Sequence, residues 1–225
     1  MKTRNIVLII MFFISSFSYS QIIKSIGFKS GLALSNQKWE YSTFTNELIT
    51  NQLTCTYNVI TIDFIKKQNW DLALDLGFYQ SGSIINENPY YFLENTREFI
   101  GEVKHRFGFF NLSPILRFKT QIKSFTPYIQ FGPRFDFYTS FFSNDYADYF
   151  NNEINKTQYG FHIGEGLAYN FKNFSILAEY QFFFNFNKLL DKPAIYPTET
   201  FKRELIKINT HIISLGIKYY FKKEE

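Results

Sequence analysis

The residues of this chain with an evident capacity for covalent chemistry are few: His105, His162 and His211, the single cysteine Cys55, and serines such as Ser140 and Ser143. A nucleophilic site needs a hydroxyl or thiol within hydrogen-bond reach of a base, and an acid that orients the base. No spacing in the sequence singles out such a set. Neither CxxC nor HExxH occurs, so the familiar zinc signatures are absent. Asp145, Asp148 and Glu153 lack the spacing of a calcium-binding loop. No catalytic, metal-ligating or cofactor-binding residue is therefore assigned, and no cofactor is expected. Cys55 has no second cysteine to pair with, so disulfides do not hold the fold.

A second set is charged rather than nucleophilic. Lys29, Asp71, Asp75, Arg117, Lys119, Arg134, Asp136, Glu179 and Lys218 each sit beside apolar residues, as if set into one face of an extended segment. Two readings follow, an ion or solute pathway, or a plug of paired side chains. Which applies depends on the elements that carry them.

Those elements alternate with period two. Phe174, Ile176, Ala178, Tyr180, Phe182, Phe184 and Phe186 share one face, against Ser175, Leu177, Glu179, Gln181, Phe183, Asn185 and Asn187. Such alternation marks a strand and not a helix. The pattern recurs from Trp70 to Tyr79 and from Ile213 to Phe221. Eight strands result, over 22–35, 52–66, 70–82, 106–119, 126–140, 157–171, 174–187 and 206–221. Short connections around 67–69, 120–125 and 172–173 alternate with long ones at 36–51, 83–105, 141–156 and 188–205. An even strand number with short turns at one end and long loops at the other is the layout of a membrane barrel. The fold class is all-β, an eight-stranded antiparallel up-and-down transmembrane β-barrel.

The direction of the two faces separates this from a soluble barrel of the same period. Gly27, Gly31, Gly77, Gly132, Gly160, Gly164, Gly166 and Gly216 share the face of the charges. A narrow barrel needs small residues where side chains converge, so that face is read as the interior, where acids and bases must pair. Eight strands leave room only for side chains, which favours the plug. The opposite face carries Phe28, Leu32, Leu112, Leu116, Phe131 and Phe135. In water this would be an aggregation surface; in lipid it is solvated, and a closed ladder satisfies the backbone.

Three features fit poorly. Glu165 falls among outward apolar positions, where a carboxylate is costly, and a bulge near Gly164 or Gly166 is expected to turn it inward. The second strand mixes faces, with Thr54, Thr56 and Asn58 followed by Ile60, Ile62 and Phe64 at the same parity. Pro114 and Pro133 lie inside strands to which they cannot donate a hydrogen bond.

Residues 1–20 have a basic start, an apolar stretch of about nine residues and small residues before Gln21, the three regions of a secretory signal. The apolar stretch is too short for a spanning helix. A barrel domain over 21–225 is expected to follow. Loss of Lys2 and Arg4 with the signal takes the net charge from +4 to +2, too little and too dispersed for a nucleic-acid partner. The 29 Phe and 16 Tyr exceed what a soluble core of this size needs, and interfacial girdles would receive them.

With the strands in place, four segments are similar to the PorT-like outer-membrane β-barrel family of Bacteroidetes-type bacteria. They are FFNLSPILRFK at 109–119, TPYIQFGPRFDF at 126–137, YGFHIGEGLAYNFKNFSILAEYQF at 159–182 and IISLGIKYYF at 212–221. IGFKSGLALS at 26–35 resembles that family's first strand. The resemblance implies a barrel in the cell outer membrane and accommodates both prolines, but it implies no single activity. Phe221, preceded by Tyr219 and Tyr220, resembles the aromatic signal read by barrel-assembly machinery. The expected partners are outer-membrane lipid, that machinery during insertion, and an envelope or secretion-system protein. The expected role is non-enzymatic, structural or interactive, with the long loops as its surface. The alternatives are an envelope enzyme, of lipid acyltransferase or protease type, and a small-solute channel.

Overall fold

The computed structural model describes residues 23–41, 48–85, 102–143, 154–193 and 203–221. Residues 1–20, read as a signal peptide, lie outside the described residues. Ten strands occur among those described: β1 (Ser25–Tyr41), β2 (Leu48–Ile49), β3 (Asn51–Lys66), β4 (Trp70–Ile85), β5 (Val103–Lys119), β6 (Phe125–Ser143), β7 (Thr157–Asn170), β8 (Phe174–Asn185), β9 (Leu190–Pro193) and β10 (Arg203–Tyr220). The short β2 and β9 extend β3 and β8 past local interruptions, pairing with β1 and β10 respectively. The eight long strands form a sheet in which each pairs antiparallel with the next. β1 and β10 then close it, from Ser25 opposite Tyr220 to Tyr41 opposite Glu204. Closure leaves no unpaired sheet edge.

Several strands, β1, β4, β5, β6 and β10, run further toward the long-connection end than their sequence pattern predicts, and on β10 the reason is an inversion of polarity along the strand, which β3 shares. Near the short turns the outward residues are apolar and the inward ones polar. On β10, Ile213, Leu215, Ile217 and Tyr219 are exposed, while Ser214 and Lys218 are buried. Above that level the pattern reverses, with Ile206, Ile208 and Ile212 buried and Lys207 and Asn209 exposed. The same reversal explains the mixed faces of β3. Thr54, Thr56 and Asn58 face outward above the apolar belt, Ile60 and Ile62 face outward within it, and Leu53, Cys55, Tyr57 and Val59 are buried throughout. A pattern sought with one polarity stops where the polarity flips, although the backbone ladder continues.

The barrel interior consequently has two tiers. Toward the long connections it is an apolar core that includes Leu53, Ile85, Phe107, Phe109, Leu190 and Ile206. Toward the short turns it is charged. Aromatic rings line the outside of β6 to β8 at the short-turn end, with Phe125, Tyr169, Phe171 and Phe174 in successive ring contact at 5.0, 4.9 and 4.3 Å. β8 is 12 residues long, and at the usual tilt it rises about 30 Å, enough for an apolar band of ~25 Å.

Both prolines fall at one interruption of the ladder. Between β5 and β6 the pairing runs to Leu112 opposite Phe135 and resumes at Leu116 opposite Phe131. That register sets Pro114 against Pro133, so the two missing donors share one gap. On their other sides the strands pair without a break, Pro114 opposite Leu74 and Pro133 opposite Phe161. The short β5–β6 turn is closed by an Ile122–Phe125 bridge, with Lys123 at φ 56°.

The bulge expected near Glu165 does not form. β7 keeps register with both neighbours through this position, Glu165 lying opposite Ile129 on β6 and opposite Tyr180 on β8. Glu165 is exposed on the outer face. Gly164 and Gly166 are interior residues of a regular strand, and at Gly166 a Cβ would collide with the Tyr128 ring. The glycine is there to make room for that ring, and it leaves the strand's alternation intact.

Candidate interior site

The charged tier is built from inward positions of seven strands. Lys29 on β1 is fully buried, with its Nζ 2.5 Å from Asp75 Oδ2 on β4 and 2.9 Å from Glu179 Oε2 on β8. β4 and β8 stand on opposite walls of the eight-stranded ring, so this one lysine bars the lumen. Glu179 also accepts hydrogen bonds from Tyr128 Oη at 2.6 Å, Gln181 Nε2 at 2.8 Å and Gln130 Nε2 at 3.2 Å. Arg117 lies 3.4 Å from Asp63 and 3.9 Å from Asp71, with its guanidinium 4.9 Å from the centre of the Tyr128 ring.

Nearer the short turns Asp63 accepts from Lys218 at 2.9 Å and from Ser25 Oγ at 2.5 Å, and Lys119 pairs with Asp71 at 2.5 Å. At the boundary with the apolar core, Asp136 accepts from Tyr79 Oη at 2.8 Å and Asn111 Nδ2 at 2.7 Å. Arg134 lies 3.0 Å from Asp136 without aiming its Nε–H at the oxygen, its guanidinium 4.2 Å above Phe183. Arg134 also donates to Asn185. Each buried charge thus meets opposite charge or a ring face, as burial away from water requires.

All nine charges expected in the interior are found there. Asp63 is the one that sequence reading missed. It makes the interior five acids against five bases. Its signal was the parity of β3, Leu53 to Asp63, hidden by the polarity inversion on that strand.

Of the candidate nucleophile and base residues, only His105 and Ser143 come opposite one another, and the others lie apart. His105 is buried above the apolar belt, its ring stacked on Phe141 at 5.9 Å, and burial lowers its pKa from 6.5 to about 4. It faces Ser143 across the β5–β6 ladder. Ser140 is exposed at the rim. His162 is buried inside, its ring 6.1 Å from Phe183, and neither ring nitrogen has a hydrogen-bond partner. His211 is on the outer face, hydrogen-bonded through Nδ1 to Tyr180 Oη at 2.7 Å. Asp145 and Asp148 lie outside the described residues, as does Glu153. Among the described residues no group of three or more His, Cys, Asp or Glu is placed to hold a metal ion.

The sequence matches no protein-family profile and no curated protein. Solved structures do match. One is the outer membrane protein OprG from Pseudomonas aeruginosa, at 8% identity and a TM-score of 0.54, over 88% of this chain and 97% of that one. The fold is that of an outer-membrane β-barrel. A second is the outer membrane protein AlkL in DMPC lipid bilayers, at 10% identity and a TM-score of 0.52, over 90% of this chain and 92% of that one. At such identities the likeness concerns the fold and carries no residue's role across.

Proposed function

We propose that this protein is an integral outer-membrane barrel with a non-enzymatic, structural or interaction role. On this reading it is exported by the N-terminal signal at 1–20 and inserted by the barrel-assembly machinery. Its short turns face the periplasm, and its long connections present the surface for an envelope or secretion-system protein. The observation that carries this reading is the inside-out belt: Phe28, Leu32, Ile129, Ile163, Leu215 and Ile217 are exposed outside, around an interior of paired charges. Hydrocarbon is the solvent in which both faces are satisfied. The segments similar to the PorT-like family support the same reading.

A solute channel fits less well. Lys29 joins opposite walls, and the apolar core fills the lumen above it. The reading predicts membrane fractionation, faster migration of unheated than heated protein on a gel, and negligible conductance in planar bilayers. A soluble, unshifted protein would remove the membrane assignment, and steady single-channel currents would restore the channel. The envelope-enzyme reading has one feature in its favour, His105 opposite Ser143 at the rim. Lipid acyltransferase or peptidase activity lost on His105→Ala would establish it.

A further inference from the structure

The two ends of the lumen are not alike. The long-connection end is sealed by apolar side chains. The short-turn end opens into a cavity of about 470 Å³, reaching from Gln68 and Lys172 at the turns down to Arg117 and Tyr128. This volume is in the range of small-molecule sites. Six of its lining residues are cations, Lys66, Lys67, Arg117, Lys119, Lys172 and Lys218, while Asp71 is the one carboxylate among them.

Part of that charge is already matched. Lys119 holds Asp71 at 2.5 Å, and Asp63 behind the wall takes Lys218 at 2.9 Å and Arg117 at 3.4 Å. Lys66, Lys67 and Lys172 make no ion pair among the described residues. Lys66 Nζ instead sits 3.6 Å from the centre of the Tyr220 ring, turned toward the lumen. Lys66 gains a cation–π contact with Tyr220, but none of the three has a carboxylate at ion-pair distance among the described residues, and around one recess they repel one another. Lipid headgroups at the rim would account for Lys67 and Lys172 alone, but not for Lys66, which is folded over Tyr220 at the mouth. Cations at the mouth of a low-dielectric recess focus a positive potential into it. Gln68, Gln121, Thr126, Asn170 and Tyr220 add hydrogen-bonding groups to the same wall.

We propose that this mouth is a binding site for a small multivalent oxyanion, a molecule bearing two or more phosphate or carboxylate groups, which enters from the short-turn end and is held without passing through. Lys66, Lys67 and Lys172 supply the unmatched charge, and the apolar core blocks the exit. Only the statement that the ligand comes from the periplasm rests on the location proposed above.

The test uses the full chain purified in detergent micelles and titrated calorimetrically with pyrophosphate and, separately, citrate. Saturable binding of either probe at low salt is expected, weakened at least tenfold in 0.5 M salt, since the screening length there is only about 4 Å. Binding of one probe alone supports the site and identifies its anion as phosphate or carboxylate. Lys66→Gln combined with Lys172→Gln should weaken binding tenfold or more while keeping wild-type gel mobility. Lys104→Gln, at the opposite end and paired with Glu102 at 3.1 Å, should leave it unchanged. No saturable binding of either probe at low salt, or equal losses in the two variants, overturns the proposal.

A separate arm tests the side of entry. In cells carrying Lys172→Cys, a membrane-impermeant maleimide should label the protein only after the outer membrane is permeabilised, the native Cys55 being buried. Labelling in intact cells would overturn the periplasmic assignment and leave the binding result standing.

Discussion

Replacing Glu179 with alanine removes the acceptor on which the charged tier converges. Lys29, Tyr128, Gln130 and Gln181 all donate to this carboxylate, which is buried. A hydrogen bond to a charged group contributes about 1.5–3 kcal/mol, and breaking a buried ion pair costs about 3–5 kcal/mol. The loss should fall at the lower end, about 3 kcal/mol, because Asp75 stays 2.5 Å from Lys29 and keeps its charge compensated. Denaturant unfolding of the barrel refolded into lipid vesicles, followed by tryptophan fluorescence and by gel mobility, measures it. Lys29→Met leaves Asp75 without its ion-pair partner and removes one donor from Glu179, and should cost at least as much. The Lys29→Met, Glu179→Ala double variant should be less unstable than the two singles sum to, by about 1 kcal/mol or more. A Glu179→Ala loss below about 1 kcal/mol, or strict additivity in the cycle, would refute the idea that these bars hold the walls together.

Glu165→Leu should stabilise the barrel in lipid by roughly 1–2 kcal/mol, since a carboxylate on the outer face within the apolar belt is unfavourable; a destabilised variant in the same vesicle assay would show that Glu165 has a partner there. Phe109→Ala, in the apolar upper tier at 1% exposure, should cost about 3–5 kcal/mol, and a loss under 1 kcal/mol would mean this tier is not close-packed. His105 provides a pH dependence. Above pH 6.5 the ring is neutral whether the chain is folded or not. Below it the unfolded chain takes up a proton that the folded site refuses down to about pH 4, so stability falls with pH across that window, by up to about 3 kcal/mol. His105→Phe should flatten this part of the wild-type profile, and an unchanged slope would reject it.

Much of the fold was legible because a strand writes its two faces into alternate residues. β8 alone, Phe174 to Asn185, displays an apolar outside and an inside of Ser175, Glu179 and Gln181. Interior charges were legible by the same parity, Asp63 excepted, because the upper half of β3 carries its polar residues outward and its apolar ones inward. The bulge expected at Glu165 does not form because a carboxylate in an apolar row need not break the register, and the ladder simply carries it outward. The basic mouth was only half legible: parity set Arg117, Lys119 and Lys218 inside, but nothing local distinguishes Lys66, Lys67 and Lys172, at strand ends and turns, from ordinary exposed lysines.

What the sequence determined by itself is therefore the eight-strand rhythm, the inside-out belt and the alternation of short and long connections, all of which depend on residues near one another in the chain. What the tertiary structure alone decided is who meets whom across the lumen. Lys29 and Glu179 are 150 positions apart, and Lys218 and Asp63 are 155 apart. Their contacts depend on strand number, stagger and the closing pair β1–β10, which together set the level at which each inward side chain projects. Period-two alternation tells each residue which face it joins, but only closure brings opposite walls within reach of one salt bridge.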